Sequence, residues 1–114
     1  MGKFKCPFFI SENEFGPLPS VDIVNEVGQT LLVTLKYQTN KLCNRSIKVF
    51  QGGVTQITIL SYCENLSYVA KAKVVGKGSL DKGTICGPIT VNANTNVITA
   101  QTTGQTCSLV AAAP

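Results

Sequence analysis

The spacing of apolar residues changes along this chain, and the changes mark its elements. Val24, Val27, Leu31 and Leu35 recur at helical spacing, with Ile23 and Leu32 widening the stripe. That pattern predicts one helix over residues 20–36. Ser20 is a suitable N-cap, and Asp22 falls in the first turn, where the helix dipole favours an anion. Gly28, Thr30, Val33 and Thr34 lower the helical propensity, and residues 31–37 also read as a strand. Ahead of this element, residues 4–10 read as a first strand, which Pro7 confines to an edge or a bulge. Residues 11–19 read as a loop marked by Asn13, Gly16, Pro17 and Pro19.

Further on the period becomes two. Ile47 and Val49 alternate with Ser46, Lys48 and Phe50; Ile57 and Ile59 alternate with Gln56, Thr58 and Leu60. A loop of Gly52, Gly53 and Val54 sets Val49 opposite Ile57 and Ile47 opposite Ile59, whereas a loop of the two glycines alone sets Val49 against Gln56. The first register predicts a hairpin. Extended outward, it places Cys43 opposite Cys63 on one face, a specific signal for a Cys43–Cys63 disulfide. Residues 68–75 form the next strand, with Tyr68, Ala70, Ala72 and Val74 on one face and Val69, Lys71, Lys73 and Val75 on the other. A turn-rich loop covers residues 76–83. A second hairpin joins residues 89–92 to 96–101, with Val91 facing Val97. Gly104 leads into a short last strand at 107–110, and residues 111–114 are a frayed tail. Strand, helix, then antiparallel strands is an α+β order: one domain, residues 1–114, with a single helix packed on a twisted antiparallel sheet.

Composition narrows the chemistry. The chain has 114 residues and no histidine, so the commonest general acid/base and metal ligand is missing. Five cysteines favour an oxidising compartment. No two stand closer than Cys43 and Cys63, which excludes the paired spacing of a zinc site, and no metal or other cofactor is expected. Cys6 and Cys107 bracket nearly the whole sequence, as in a small secreted domain stapled end to end. Met1 and Gly2 read as a start placed on a mature secreted chain, no signal peptide follows, and no apolar run approaches the length of a membrane span. Asn44 and Asn65 begin glycosylation sequons. The net charge of +4 is a mild excess that solubility alone accounts for.

Phe4, Lys5 and Cys6 in the first strand, the single helix, residues 87–98 (GPITVNANTNVI) and residues 104–110 (GQTCSLV) together resemble the fungal guanyl-specific ribonuclease fold. The aromatic-x-Cys start and the late cysteine also resemble the ribonuclease-like secreted effectors of powdery mildew fungi. The resemblance implies a disulfide joining the first and last strands, here Cys6–Cys107; together with the Cys43–Cys63 bond that the hairpin register predicts, it leaves Cys86 reduced. It also implies a secreted monomer, translocated into plant cells, whose partner is a host plant protein or immune receptor.

The catalytic residues of those ribonucleases do not carry over. The strand expected to supply the carboxylate base reads YVAKAK and holds no acid. The position of the arginine falls near Gly87 and Pro88, and the only arginine, Arg45, lies just before the first hairpin strand. Glu12 and Glu14 read as a solvated loop pair, Cys86 has no histidine to activate it, and Gly76, Gly78 and Gly83 lack phosphate-loop spacing. A non-catalytic protein that binds a partner is therefore expected, with RNA binding on an inactive scaffold as the alternative. Lys71, Lys73, Arg45 and Lys48 are the candidate binding residues for either.

Overall fold

In the computed structural model, which describes residues 20–113, Val21, Ile23 and Asn25 are buried while Ser20, Asp22 and Val24 are half-buried. The same alternation returns at Leu31, Val33 and Leu35. A period of two is a strand's period, and residues 20–36 form two strands, β1 (Ser20–Asn25) and β2 (Leu31–Lys36), rather than the expected helix. The β-branched Val21, Ile23 and Val24 of β1 and Val33 and Thr34 of β2 pack well on a pleated surface. Gly28, with φ +83°, takes the tight turn between them.

The remaining strands are β3 (Arg45–Val49), β4 (Val54–Thr58), β5 (Tyr68–Val74), β6 (Ile85–Val91), β7 (Val97–Thr103) and β8 (Thr106–Ala112). Single 3-10 turns at Lys41–Cys43 and Ser61–Cys63 precede β3 and follow β4. The strands make two four-stranded sheets, sheet A in the order β4-β1-β7-β8 and sheet B in the order β3-β2-β5-β6. β1 and β7 run parallel; every other pair is antiparallel. One core takes the inner faces of both sheets, including Ile23, Ile57, Ile98 and Leu109 from sheet A and Leu31, Leu35, Val49 and Val74 from sheet B. The architecture is an all-β sandwich, which corrects the expected α+β fold. The single helix, one of the pieces that carried the ribonuclease resemblance, is replaced by strands.

Both expected hairpins are also corrected. β3 pairs with β2 and β4 with β1, so the chain passes from one sheet to the other at Gly52 and Gly53. Likewise β6 belongs to sheet B and β7 to sheet A, and the turn at Ala93, Asn94 and Thr95 is a crossing. Alternating apolar residues close a sandwich as well by facing one another across the core as by pairing in one sheet, so the pattern alone did not distinguish the two. The last strand runs to Ala112 and pairs along its length with β7, so residues 111 and 112 are not a frayed tail.

Two disulfides staple the sheets. Cys43–Cys63, with Cα atoms 5.9 Å apart, joins the turn ahead of β3 to the turn after β4. Cys86–Cys107 joins β6 to β8 across the two sheet edges. Cys107 is therefore bonded to Cys86 and not to Cys6, and Cys86 is not reduced. Cys6 and the expected first strand lie outside the described residues.

Two buried amides lock the crossings. The Asn25 Nδ2 donates to the carbonyls of Gln29 (2.8 Å), Val49 (3.0 Å) and Phe50 (3.2 Å), and its Oδ1 accepts from the Val27 N–H at 2.9 Å. The Gln29 Nε2 donates to the carbonyls of Gly76 and Leu80, and its Oε1 accepts from the Leu80 N–H. Every polar atom of both side chains is thus engaged, as burial requires.

Candidate binding face

Charge divides unequally between the sheets. Lys36, Arg45, Lys48, Lys71 and Lys73 stand on the strands of sheet B, which carry no acid. The strands of sheet A carry one charged residue, Asp22. Register then decides which cations meet. Lys48, Leu32 and Lys73 form one cross-strand row, and Ser46, Thr34 and Lys71 form the next. Lys36 stands opposite Val69 in the row after that. These positions alternate with the buried Val33, Leu35, Ala70 and Ala72, so they share the outer face.

Lys71, Lys73 and Lys48 are therefore brought together, and all three are exposed. Arg45 is not part of the set: its row partner is the core residue Leu35, placing it on the other side of the ladder at an exposed strand end. Two hollows run along this face. A shallow one of about 150 Å³ is lined by Leu32, Thr34, Lys71, Lys73 and Ile85. An open groove of about 580 Å³ at the far end is lined by Lys36, Tyr37, Gln38, Lys41, Asn44 and Val69. The groove is built rigidly. The Asn44 Oδ1 accepts the Tyr37 N–H at 2.7 Å, and the Asn40 side chain caps the turn that carries Lys41. Cys43 in that turn is bonded to Cys63.

Beneath the groove, the rings of Tyr37 and Tyr68 lie 4.9 Å apart. Burial pushes the Tyr68 phenol well above its usual range, and the neighbouring Tyr37 adds to that; burial also raises Tyr37, against a smaller lowering by Arg45. Both phenols stay neutral and add no anion beside the lysines. The Tyr68 hydroxyl has no hydrogen-bond partner among the described residues, and Tyr68 lines a cavity of about 30 Å³, enough to admit a water molecule.

Lys36, Lys41, Val69 and Gln38 become part of one surface only through the β2–β5 register, which the helix reading of residues 20–36 concealed. Reading residues 31–36 as a strand would have put Lys36 on the face opposite Val33 and Leu35, but not beside Val69. Among the described residues no helix is long and apolar enough to cross a membrane, and no group of three or more His, Cys, Asp or Glu side chains gathers as for a metal ion. Glu12 and Glu14 lie outside the described residues. Comparison with protein-family models, with curated proteins and with solved structures gives no match.

Proposed function

We propose that this chain is a non-catalytic, secreted binding module whose working surface is the outer face of sheet B, and that its partner is a protein with an acidic surface. The observation that carries this reading is the one-sided distribution of charge: cations on every strand but β6 of one sheet, with no acid among them. Such a face steers an acidic partner and rejects a basic one. The two inter-sheet disulfides fit an oxidising, extracellular setting. The effector reading supplies the partner's source, a host plant protein or immune receptor. Having lost its helix, that reading keeps only its short sequence matches.

RNA binding is the second reading, since the same lysines would neutralise phosphates. The strand positions of the outer face, Leu32, Thr34, Lys36, Ser46, Lys48, Val69, Lys71, Lys73, Ile85 and Thr90, hold no aromatic residue; the aromatics at its margins are the exposed Phe50 just past β3 and the buried Tyr37 of the end groove, a sparse platform for base stacking. That favours protein over single-stranded RNA.

Replacing Lys71 and Lys73 together by Glu tests the surface. Both are exposed, so the melting temperature should stay within a few degrees of the parent, about ±0.5 kcal/mol. Capture of acidic proteins from plant tissue extract should fall sharply. Unchanged capture by the folded variant would place the working surface elsewhere, and a log-linear salt dependence of polyuridylate binding with no capture of protein would favour RNA.

A further inference from the structure

The lysines on sheet B are not a diffuse patch. They form a ladder along the strand axis. Lys73 and Lys71 are two residues apart on β5 and so about 7 Å apart along the strand. Lys71 is level with Thr34, and Lys36 lies two residues further along β2, another step of about 7 Å. Lys41 continues the line into the end groove, where it faces the same space as Lys36. Lys48 stands level with Lys73 through Leu32. Beside the rungs, level with Lys73, Lys71 and Lys36, stand Leu32, Thr34 and Val69, which give a low, partly apolar floor.

An extended peptide has the same repeat. Its alternate side chains point to one side and stand about 7 Å apart. We infer that the sheet B face binds an extended segment of its partner that carries carboxylates at alternate positions, acid-x-acid-x-acid. Three carboxylates pair with Lys73, Lys71 and Lys36, the intervening residues face away, and Lys41 in the end groove extends the cationic line beyond them. This rests on the reading of sheet B as the working surface and adds the form of the ligand. A folded acidic surface or a run of adjacent acids matches the ladder less well, because half of the acids in an extended run point away from it.

The test uses the unmodified full chain and two synthetic peptides of one composition, the first alternating Glu with Thr, the second with all its Glu residues first. At low ionic strength the alternating peptide should bind about tenfold more tightly, as a few additional surface ion pairs of ordinary strength would give. Charge reversal at Lys36 and Lys71 should abolish that preference. Equal affinity for the two peptides overturns the ladder and leaves the acidic-partner reading standing. Binding of neither peptide, with polyuridylate held in a Lys71-dependent way, overturns both. The chain's own Glu12 and Glu14 have the same two-residue spacing. If alternating peptide binds only after both are changed to Gln, the occupant is the chain itself and the assignment to a partner fails.

Discussion

Replacing Asn25 by Ala should cost about 3 kcal/mol and lower the melting temperature by roughly 10–20 °C. The side chain is 1% exposed and is the junction of two crossings. It belongs to β1 of sheet A, yet donates to the carbonyls of Val49 and Phe50 at the end of β3 in sheet B. It also holds the β1–β2 turn through Gln29 and Val27. Removing it leaves the Gln29 and Val49 carbonyls and the Val27 N–H to find other partners, while the Phe50 carbonyl keeps the Gly53 N–H, and each failure costs on the order of 1–3 kcal/mol. A domain of this size has only about 5–15 kcal/mol in hand. Asn25→Asp is the sharper variant. It keeps the shape and the acceptor for Val27, but an ionised carboxylate donates nothing, so it should be at least as damaging as Ala. A thermal melt of Asn25→Asp that overlays the parent would contradict the placement of this residue. Asn92, exposed and accepting only the nearby Asn94 N–H through its Oδ1, provides the comparison, with little change on replacement by Ala.

Loss of the Cys43–Cys63 bond should be nearly as costly. The two residues are separated by 20 positions, and closing a loop of that size is worth about 3 kcal/mol on the chain-entropy model. Both cysteines are buried, so a Cys43→Ala, Cys63→Ala double variant isolates the cross-link from the introduction of polar groups. Two effects are expected together: a lower denaturation midpoint in urea, and weaker binding of acidic ligands, because the turn carrying Lys41 loses its anchor. A drop in stability with binding intact would separate Lys41 from the working surface. No change in the midpoint would mean that the bond contributes nothing to holding the two sheets.

Much of the strand content was legible in the sequence, but the way strands combine was not. Tyr68, Ala70, Ala72 and Val74 were readable as one buried face, and Lys71 and Lys73 as the opposite one, because that stretch has a single unambiguous period. Residues 20–36 were ambiguous. Val24, Val27, Leu31 and Leu35 fit a helical stripe, while Val21, Ile23, Leu31, Val33 and Leu35 are the residues the core buries. The decisive residue was Asn25. As a polar side chain in an apolar stripe it weakens a helix, but it can end a strand by satisfying buried carbonyls. The hairpin at Gly52 and Gly53 failed for a different reason. Val49 and Ile57 both point inward, and inward-pointing residues of facing sheets obey the same alternation as paired ones. The bond between Cys43 and Cys63 forms all the same, across the edge of the sandwich instead of across a hairpin. For the binding face, individual lysines were visible in the sequence; their alignment was not, since it arises from the β2–β5 pairing between residues far apart in the chain.

The most direct measurement of the sheet B face is an amide chemical-shift titration of the full chain with the alternating Glu-Thr peptide. The expected result is a set of perturbations confined to Leu32, Thr34, Lys36, Lys41, Lys48, Val69, Lys71 and Lys73, with β1, β4, β7 and β8 unmoved. Perturbations centred on sheet A, or on the exposed Leu42 and Tyr62 beside the Cys43–Cys63 bond, with the lysine rows silent, would contradict it.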